Sequence, residues 1–186
     1  SYNKSMRRLL LSLALVPIIV QQGIPTMCYR GHTKIVKVDP KQEKCLATMI
    51  YGEARGEAEK GMVAVAYTAV NRAVNKTVCG VVLSPKQYSI FNNNPALKAA
   101  AMSLHLEPKQ KNIIDKESWK KALAVAKIVI RKEINDPTNG ATHYLAPTVM
   151  KLKRYKYPQW SKEYKLLAVI DNHRFYKIID KQAIKI

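Results

Sequence analysis

Three acids, Glu53, Glu57 and Glu59, stand close together in the stretch MIYGEARGEAEKGMVAVAYTAVNRAV, Met49 to Val74. They are set among glycines and one arginine, directly ahead of a segment that is apolar almost throughout. A carboxyl group on the apolar side of a helix end, beside a buried neighbour, loses hydration, and that loss favours its protonated form. A carboxylic acid that keeps its proton near neutral pH is a general acid, able to protonate the leaving oxygen of a glycosidic bond. Arg55 and the start of the following helix oppose that tendency if they come close, so its sign rests on geometry. Glu57 and Glu59 sit where acids complement the dipole of the next helix.

The elements that would carry these residues can be read from periodicity. Asp39 and Pro40 form a helix start, and a helix is expected over 41–54, with Cys45, Leu46, Met49 and Ile50 on one face. Glu53 continues that face and so points inward. A second helix is expected from Glu57 to Val74. Apolar residues occupy every side of it, the pattern of a helix sunk in the core, and Ala64, Ala66 and Ala69 allow close approach by neighbours. Val78 to Leu83 reads as a short extended piece, and the region around Pro85 and Asn92–Pro95 as turns. A surface helix is expected over 118–134, with Trp119, Ala122, Leu123, Ala126, Val129 and Ile130 on its apolar stripe. Asp136, Pro137, Asn139 and Gly140 make a tight turn, Thr142 to Leu145 a short strand, and the chain is again extended near His173.

At 186 residues, 47% hydrophobic and 24% charged, the composition suits one globular domain and excludes both a disordered chain and a multi-span membrane protein. The anomaly is charge: 32 Lys and Arg against 13 Asp and Glu give a net +19, which attracts polyanions such as nucleic acid, anionic lipid or bacterial wall. Lys151 to Trp160, KLKRYKYPQW, is the densest basic run, either a solvated face or a docking surface. Residues 1–27 contain basic Lys4, Arg7 and Arg8 ahead of an apolar run from Leu9 to Val20, and read as a signal peptide or a signal-anchor segment. An internal core helix is the alternative. Residues 28–40 then form a connector and 41–186 the globular domain, exported to the periplasm or beyond, with Leu9 to Val20 as a transient membrane anchor if it is retained.

Cysteine use bears on the same question. Of Cys28, Cys45 and Cys79, the latter two flank the acidic stretch and are the expected pair outside the cytoplasm. Cys28 is then a free thiol, a rival partner or a lipid attachment site. Without export, all three read as small buried thiols.

Four segments, IYGEARGEAEKGMVAVAYTAVNR, VCGVVLSPKQYS, DPTNGATHY and HRFY, together resemble the SleB-type cell-wall hydrolase family, in order, from about Cys45 to Tyr176. The resemblance implies an α+β, mainly helical, lysozyme-like single domain. It implies a lytic transglycosylase that cuts peptidoglycan glycan strands between N-acetylmuramic acid and N-acetylglucosamine, with no cofactor. It puts the acid/base on Glu53, which would serve alone, protonating the leaving oxygen and then taking the proton of the C6 hydroxyl as a 1,6-anhydro ring closes. Paired-carboxylate glycosidases work differently. Gln87, Tyr88 and Ser89 occupy the place of the family's glutamine-aromatic-serine string, and with His143, Tyr144, His173 and Tyr176 are the candidates for lining a saccharide groove. The family commonly has phenylalanine where this chain has Tyr88. A phage endolysin and a bacterial wall-remodelling enzyme both fit, acting as a monomer with an anionic wall or membrane surface as partner.

Two rival readings carry different tests. A zinc-dependent amidase would cut the peptide stem and needs three protein ligands, yet His32, His105, His143 and His173 show no paired helical spacing. A non-enzymatic binder of polyanions or membrane surfaces has the charge in its favour, but no nucleic-acid-binding motif is present and export argues against a genomic target.

Overall fold

Helix α1 (Pro40–Ala54) begins where the sequence signals it: Asp39 is the N-cap, its carboxylate accepting from Lys41 N at 2.9 Å, and Pro40 takes the first turn. The computed structural model describes residues 39–88, 90–91, 95–102 and 113–178. The expected leader, nearly all of the connector, Cys28, His32, Ser89 and His105 lie outside the described residues.

Helix α2 (Glu59–Arg72) is the centre of the molecule. Gly61 to Ala69 are all buried, as its all-round apolar pattern requires, and Ala64, Ala66 and Ala69 are fully covered. Glu59 lies in its first turn, where an acid complements the dipole. Packed around α2 are α1, α3 (Val78–Val82) and α5 (Ile113–Ile130), while α4 (Pro95–Met102) packs on α1. Leu46, Met49 and Ile50 of α1 have no exposed surface, and burying each such side chain stabilises by about 1.5–3 kcal/mol. Arg131, just past α5, binds Glu43 near the start of α1 through Nε at 3.1 Å and an Nη at 2.9 Å, which ties the two helices at that end.

The remaining layer is a three-stranded antiparallel sheet in the order β1 (His143–Leu145), β3 (His173–Lys177), β2 (Lys165–Ile170). Short helices α6 (Pro147–Leu152) and α7 (Trp160–Glu163) bridge β1 to β2. Tyr144 faces Phe175 in the register, and Ile170 pairs with His173 across a turn at Asp171 and Asn172. Gly61 makes that docking possible, because a Cβ there would lie 2.5 Å from the Asp171 carboxylate. The molecule is thus α+β and mostly helical. Among the described residues no helix is long and apolar enough to cross a membrane.

Two elements depart from expectation. Val78–Val82 is a helix, where a β-branched run had suggested an extended piece. Thr77 caps it by accepting from Gly80 N at 3.0 Å, and Cys79 is tethered to α1, so capping and packing override strand propensity. Helix α5 runs over 113–130 instead of 118–134. It ends early because Lys132 turns left-handed at φ 56°, with Lys132 N bonded to Val129 O at 3.1 Å and Glu133 N to Ile128 O at 2.9 Å. That closing turn normally uses glycine, and no glycine announces it here.

Cys45 and Cys79 form a disulfide, with Cα atoms 5.3 Å apart, that joins α1 to α3 across a sequence separation of 34. By chain entropy a loop of that length stabilises by about 3–4 kcal/mol. Cys45→Ala with Cys79→Ala is expected to remove about that much, and urea melts with and without reductant check it: the reductant should shift the parent protein and leave the double variant unmoved.

Candidate active site

The end of α1, the C-terminal half of α2 and the start of β1 converge on one cleft of about 410 Å³. Glu53, Thr68, Arg72, Gln87, Tyr88, Thr142, His143, Tyr144 and Trp160 line it together with Lys86. Glu53 is half-buried on the last turn of α1, and its two oxygens are held from opposite parts of the chain. Tyr144 Oη of β1 donates to Oε2 at 3.1 Å, and Ile90 N approaches Oε1 at 3.4 Å, the long end of hydrogen bonding. Gly52 permits the second contact, since a Cβ there would lie 2.5 Å from the Ile90 side chain.

Tyr144 is positioned from below by a network at the end of α2. Asn71 Nδ2 donates to Asp136 Oδ2 at 2.8 Å and to Ala141 O at 2.9 Å. Asp136 in turn accepts from Thr138 N at 2.8 Å, from Thr138 Oγ1 at 2.6 Å and from Gly140 N at 2.9 Å. Asn139 and Gly140 take the positive φ values, 57° and 84°, that this tight turn demands. The turn therefore delivers Thr142, His143 and Tyr144 to the cleft, with Tyr144 beside Glu53. Burial, then the nearby Glu53 charge, hold the Tyr144 phenol well above its ordinary pKa, so it remains a donor to the carboxylate.

The other aromatic groups stack behind this pair. His143 packs against Trp160 and Tyr164 with ring centroids 5.2 and 4.9 Å away, and its Nδ1 lies 2.9 Å from Thr142 Oγ1. Burial and then the Arg72 charge push the His143 pKa down, so the ring is neutral at pH 7. Tyr88 is buried, with its pKa raised chiefly by that burial. Thr68 and Arg72 flank its hydroxyl, yet the geometry gives it no hydrogen bond, so Tyr88 is held in the wall by packing and by the Arg72 guanidinium 6.0 Å from its ring centroid.

Of the residues singled out from sequence, Glu53, Gln87, Tyr88, His143 and Tyr144 meet in the cleft. Ser89 is outside the described residues. His173 and Tyr176 lie behind the wall, not on it: both are buried, His173 stacked on Tyr144 at 5.3 Å and Tyr176 against Trp160 at 5.5 Å. Three residues apart on β3, they lie on opposite faces of the sheet: His173 with Tyr144 and Phe175, Tyr176 with His143 and Trp160, and neighbours cover both. Sequence reasoning missed Arg72, Thr68, Thr142 and Trp160. Arg72 was legible as the first charge to emerge from the apolar helix, whereas Trp160 was hidden in a run that read as charge. Among the described residues no group of three His, Cys, Asp or Glu is placed to hold a metal ion.

His173 makes the site's support pH-sensitive. Its Nδ1 has no hydrogen bond and lies 3.9 Å from Glu57 Oε1, too far for one. Burial lowers its pKa from the ordinary 6.5, against the opposing pull of Glu57 and Asp171. A histidine whose folded pKa is depressed leaves stability intact above 6.5 and removes it as pH falls through that value towards the folded pKa, because the unfolded chain takes up the proton first. Urea midpoints should therefore drop between pH 7.5 and pH 5, and His173→Phe should flatten that drop. Equal slopes in the two proteins would contradict the assignment.

A search of curated proteins gives no match. The catalytic domain of the Bacillus cereus SleB protein is similar at 24% identity and TM-score 0.50, covering 79% of this chain and 98% of that one. The catalytic domain of the germination-specific lytic transglycosylase SleB from Bacillus anthracis is similar at 24% identity and TM-score 0.54, covering 76% and 98%. These likenesses establish the lysozyme-like fold. The sequence profile described as Cell Wall Hydrolase matches residues 56–176, a span that begins just past Glu53, so the role of that residue rests on the cleft. With that match over more than half its length, the chain belongs to the SleB-type cell wall hydrolase family, enzymes that degrade peptidoglycan.

Proposed function

We propose that this enzyme is a lytic transglycosylase, cutting the bond between N-acetylmuramic acid and N-acetylglucosamine with Glu53 as its single acid and base. The observation that carries the reading is a cleft with one carboxylate: among the described residues that line it, Glu53 is the only acid. A paired mechanism requires a second carboxyl group across the bond, roughly 5 to 9.5 Å away. With one, the proton must return to the group that gave it. Protonated Glu53 donates to the leaving glycosidic oxygen as the C1–O bond breaks. The muramic C6 hydroxyl then bonds to C1 and gives its proton to the same carboxylate, so the enzyme ends as it began. Tyr144 fixes Oε2 and leaves the loosely held Oε1 to carry the proton. The Bacillus anthracis neighbour bears the name lytic transglycosylase, which accords with this reading, although the likeness itself carries only the fold.

The setting follows from the substrate. Bacterial wall lies outside the cytoplasm, in keeping with the disulfide and with the export expected from residues 1–27. We assign attachment to the wall to the exposed segment from Val149 to Tyr157, where Leu152 and Tyr155 stand free beside Lys151, Lys153, Arg154 and Lys156.

Glu53→Gln is expected to lower the rate of sacculus digestion by about 10²–10⁴, the usual worth of a positioned proton donor, while Tyr144→Phe costs about tenfold. Mass spectrometry of the digest should give anhydro-muramic ends. Reducing ends would indicate water as the acceptor, and freed stem peptides would favour the amidase. Replacing Lys151, Lys153, Arg154 and Lys156 by Gln should weaken retention on sacculi at low salt and make little difference at high salt. Unchanged retention at low salt would remove the attachment surface.

A further inference from the structure

A second cavity, of about 830 Å³, adjoins the cleft: Thr142 lines both. A hollow of about 320 Å³ shares Arg72 and Gln87 with the cleft, and Val74 and Lys76 with the large cavity. The three hollows therefore adjoin one another around the C-terminal end of α2.

Charge distinguishes the large cavity. Lys76, Lys132 and Lys177 line it, and Asp136 is the one acid among its described lining residues. Asp136 keeps its charge but forms no ion pair with them among the described residues; its oxygens accept from Asn71, Thr138 and Gly140. None of the three lysines has an ion-pair partner among the described residues. They come from three elements: the loop after α2, the closing turn of α5 and strand β3. Lys76 and Lys132 follow helix C-termini, where a cation complements the dipole. Lys177 on β3 has no such reason to be there. Beneath the charges the floor is apolar, with Val70, Val78 and Ile134.

The chemistry of the substrate gives such a surface one role. The N-acetyl sugar backbone of the glycan strand carries no ionised groups, since the muramic lactyl carboxyl is tied up in an amide with the peptide. The charge sits on the stem peptide, whose free carboxylates alternate with short aliphatic side chains. We propose that the large cavity is the subsite for this anionic stem peptide, with Lys76, Lys132 and Lys177 pairing its carboxylates and the apolar floor taking its alanyl and aliphatic groups. The proposal rests on the reading of the Glu53 cleft as a glycan-cleaving site, and adds that the enzyme recognises the branch as well as the strand.

The test is the triple variant Lys76→Gln, Lys132→Gln, Lys177→Gln, assayed on glycan strands that carry stem peptides and on strands stripped of them. Three exposed ion pairs together amount to about tenfold. KM on peptide-bearing strands should rise by about that factor at low salt, with kcat unchanged and no effect on stripped strands. A control that removes equal charge elsewhere, at exposed lysines outside the cleft, the cavity and the attachment segment, Lys60→Gln, Lys116→Gln, Lys127→Gln, should not discriminate between the two substrates. A rise equal on both substrates, or no rise, would overturn the proposal. Calorimetry of the isolated stem tetrapeptide on the Glu53→Gln protein is independent of cleavage: binding that weakens in the added triple variant supports the subsite even if the glycan reading fails, and binding of the peptide unaffected by it rejects the subsite even if that reading holds. Lys132→Gly, which suits the left-handed backbone at that position, guards against misfolding and should reproduce part of the rise.

Discussion

One carboxylate held from two sides organises this molecule. Glu53 sits at the end of α1, and its two oxygens are met by a phenol from the sheet and a backbone amide from the segment that follows α3. Neither donor is near it in sequence, so the chain must fold completely before the group is in place. The rest of the architecture can be understood as the means of bringing those two donors to one acid. Helix α2, buried on every side, gives α1, α3 and α5 a common surface, and small alanines along it keep the layers close. Its last turn turns polar, and Asn71 there grips the Asp136 turn from which β1 departs. Two glycines set the remaining tolerances: Gly52 admits Ile90 against α1, and Gly61 admits the β2–β3 turn against α2.

Much of this was legible in the amino-acid order, and the parts that were not share a cause. The buried helix, the cap at Asp39 and Pro40, the turn at Asp136 to Gly140 and the Cys45–Cys79 pair depend on short-range chemistry or on a strong pattern, and each is found as expected. Val78 to Val82 read as extended because its valines suit a strand, but a threonine cap and a tether to α1 decide otherwise. The end of α5 was obscured because a lysine occupies a left-handed position that usually calls for glycine. Within the site, His143 and Tyr144 of β1 line the cleft as read, whereas His173 and Tyr176 of β3, also read as lining it, are buried behind that wall. A two-residue period gives the alternation of a strand but not which strand borders the cleft, and here β1 does so while β3 is covered by its neighbours.

The positive charge of the chain is not spread without consequence. Arg72 stands in the cleft itself, next to Tyr88, and a basic segment with exposed Leu152 and Tyr155 leads from β1 to Trp160, which closes the cleft. Lysines with no ion-pair partner among the described residues line the cavity next door. On the proposed reading, a wall polymer whose sugars are neutral and whose peptides are anionic would meet an acid that serves the sugars and cations that serve the peptides. In a chain of net +19, Glu53 is the one acid among the described residues that line the cleft.

A single-carboxylate reaction requires a bound strand to place its scissile oxygen against Glu53. The most direct measurement is a crystal structure of the Glu53→Gln protein with a muramic-acid-containing tetrasaccharide. The glycosidic oxygen between muramic acid and N-acetylglucosamine should lie within hydrogen-bond distance, about 3 Å, of the residue 53 side chain, with no other acid near the bond. A strand seated away from that side chain, or a second carboxylate facing the bond from the opposite side, would contradict it.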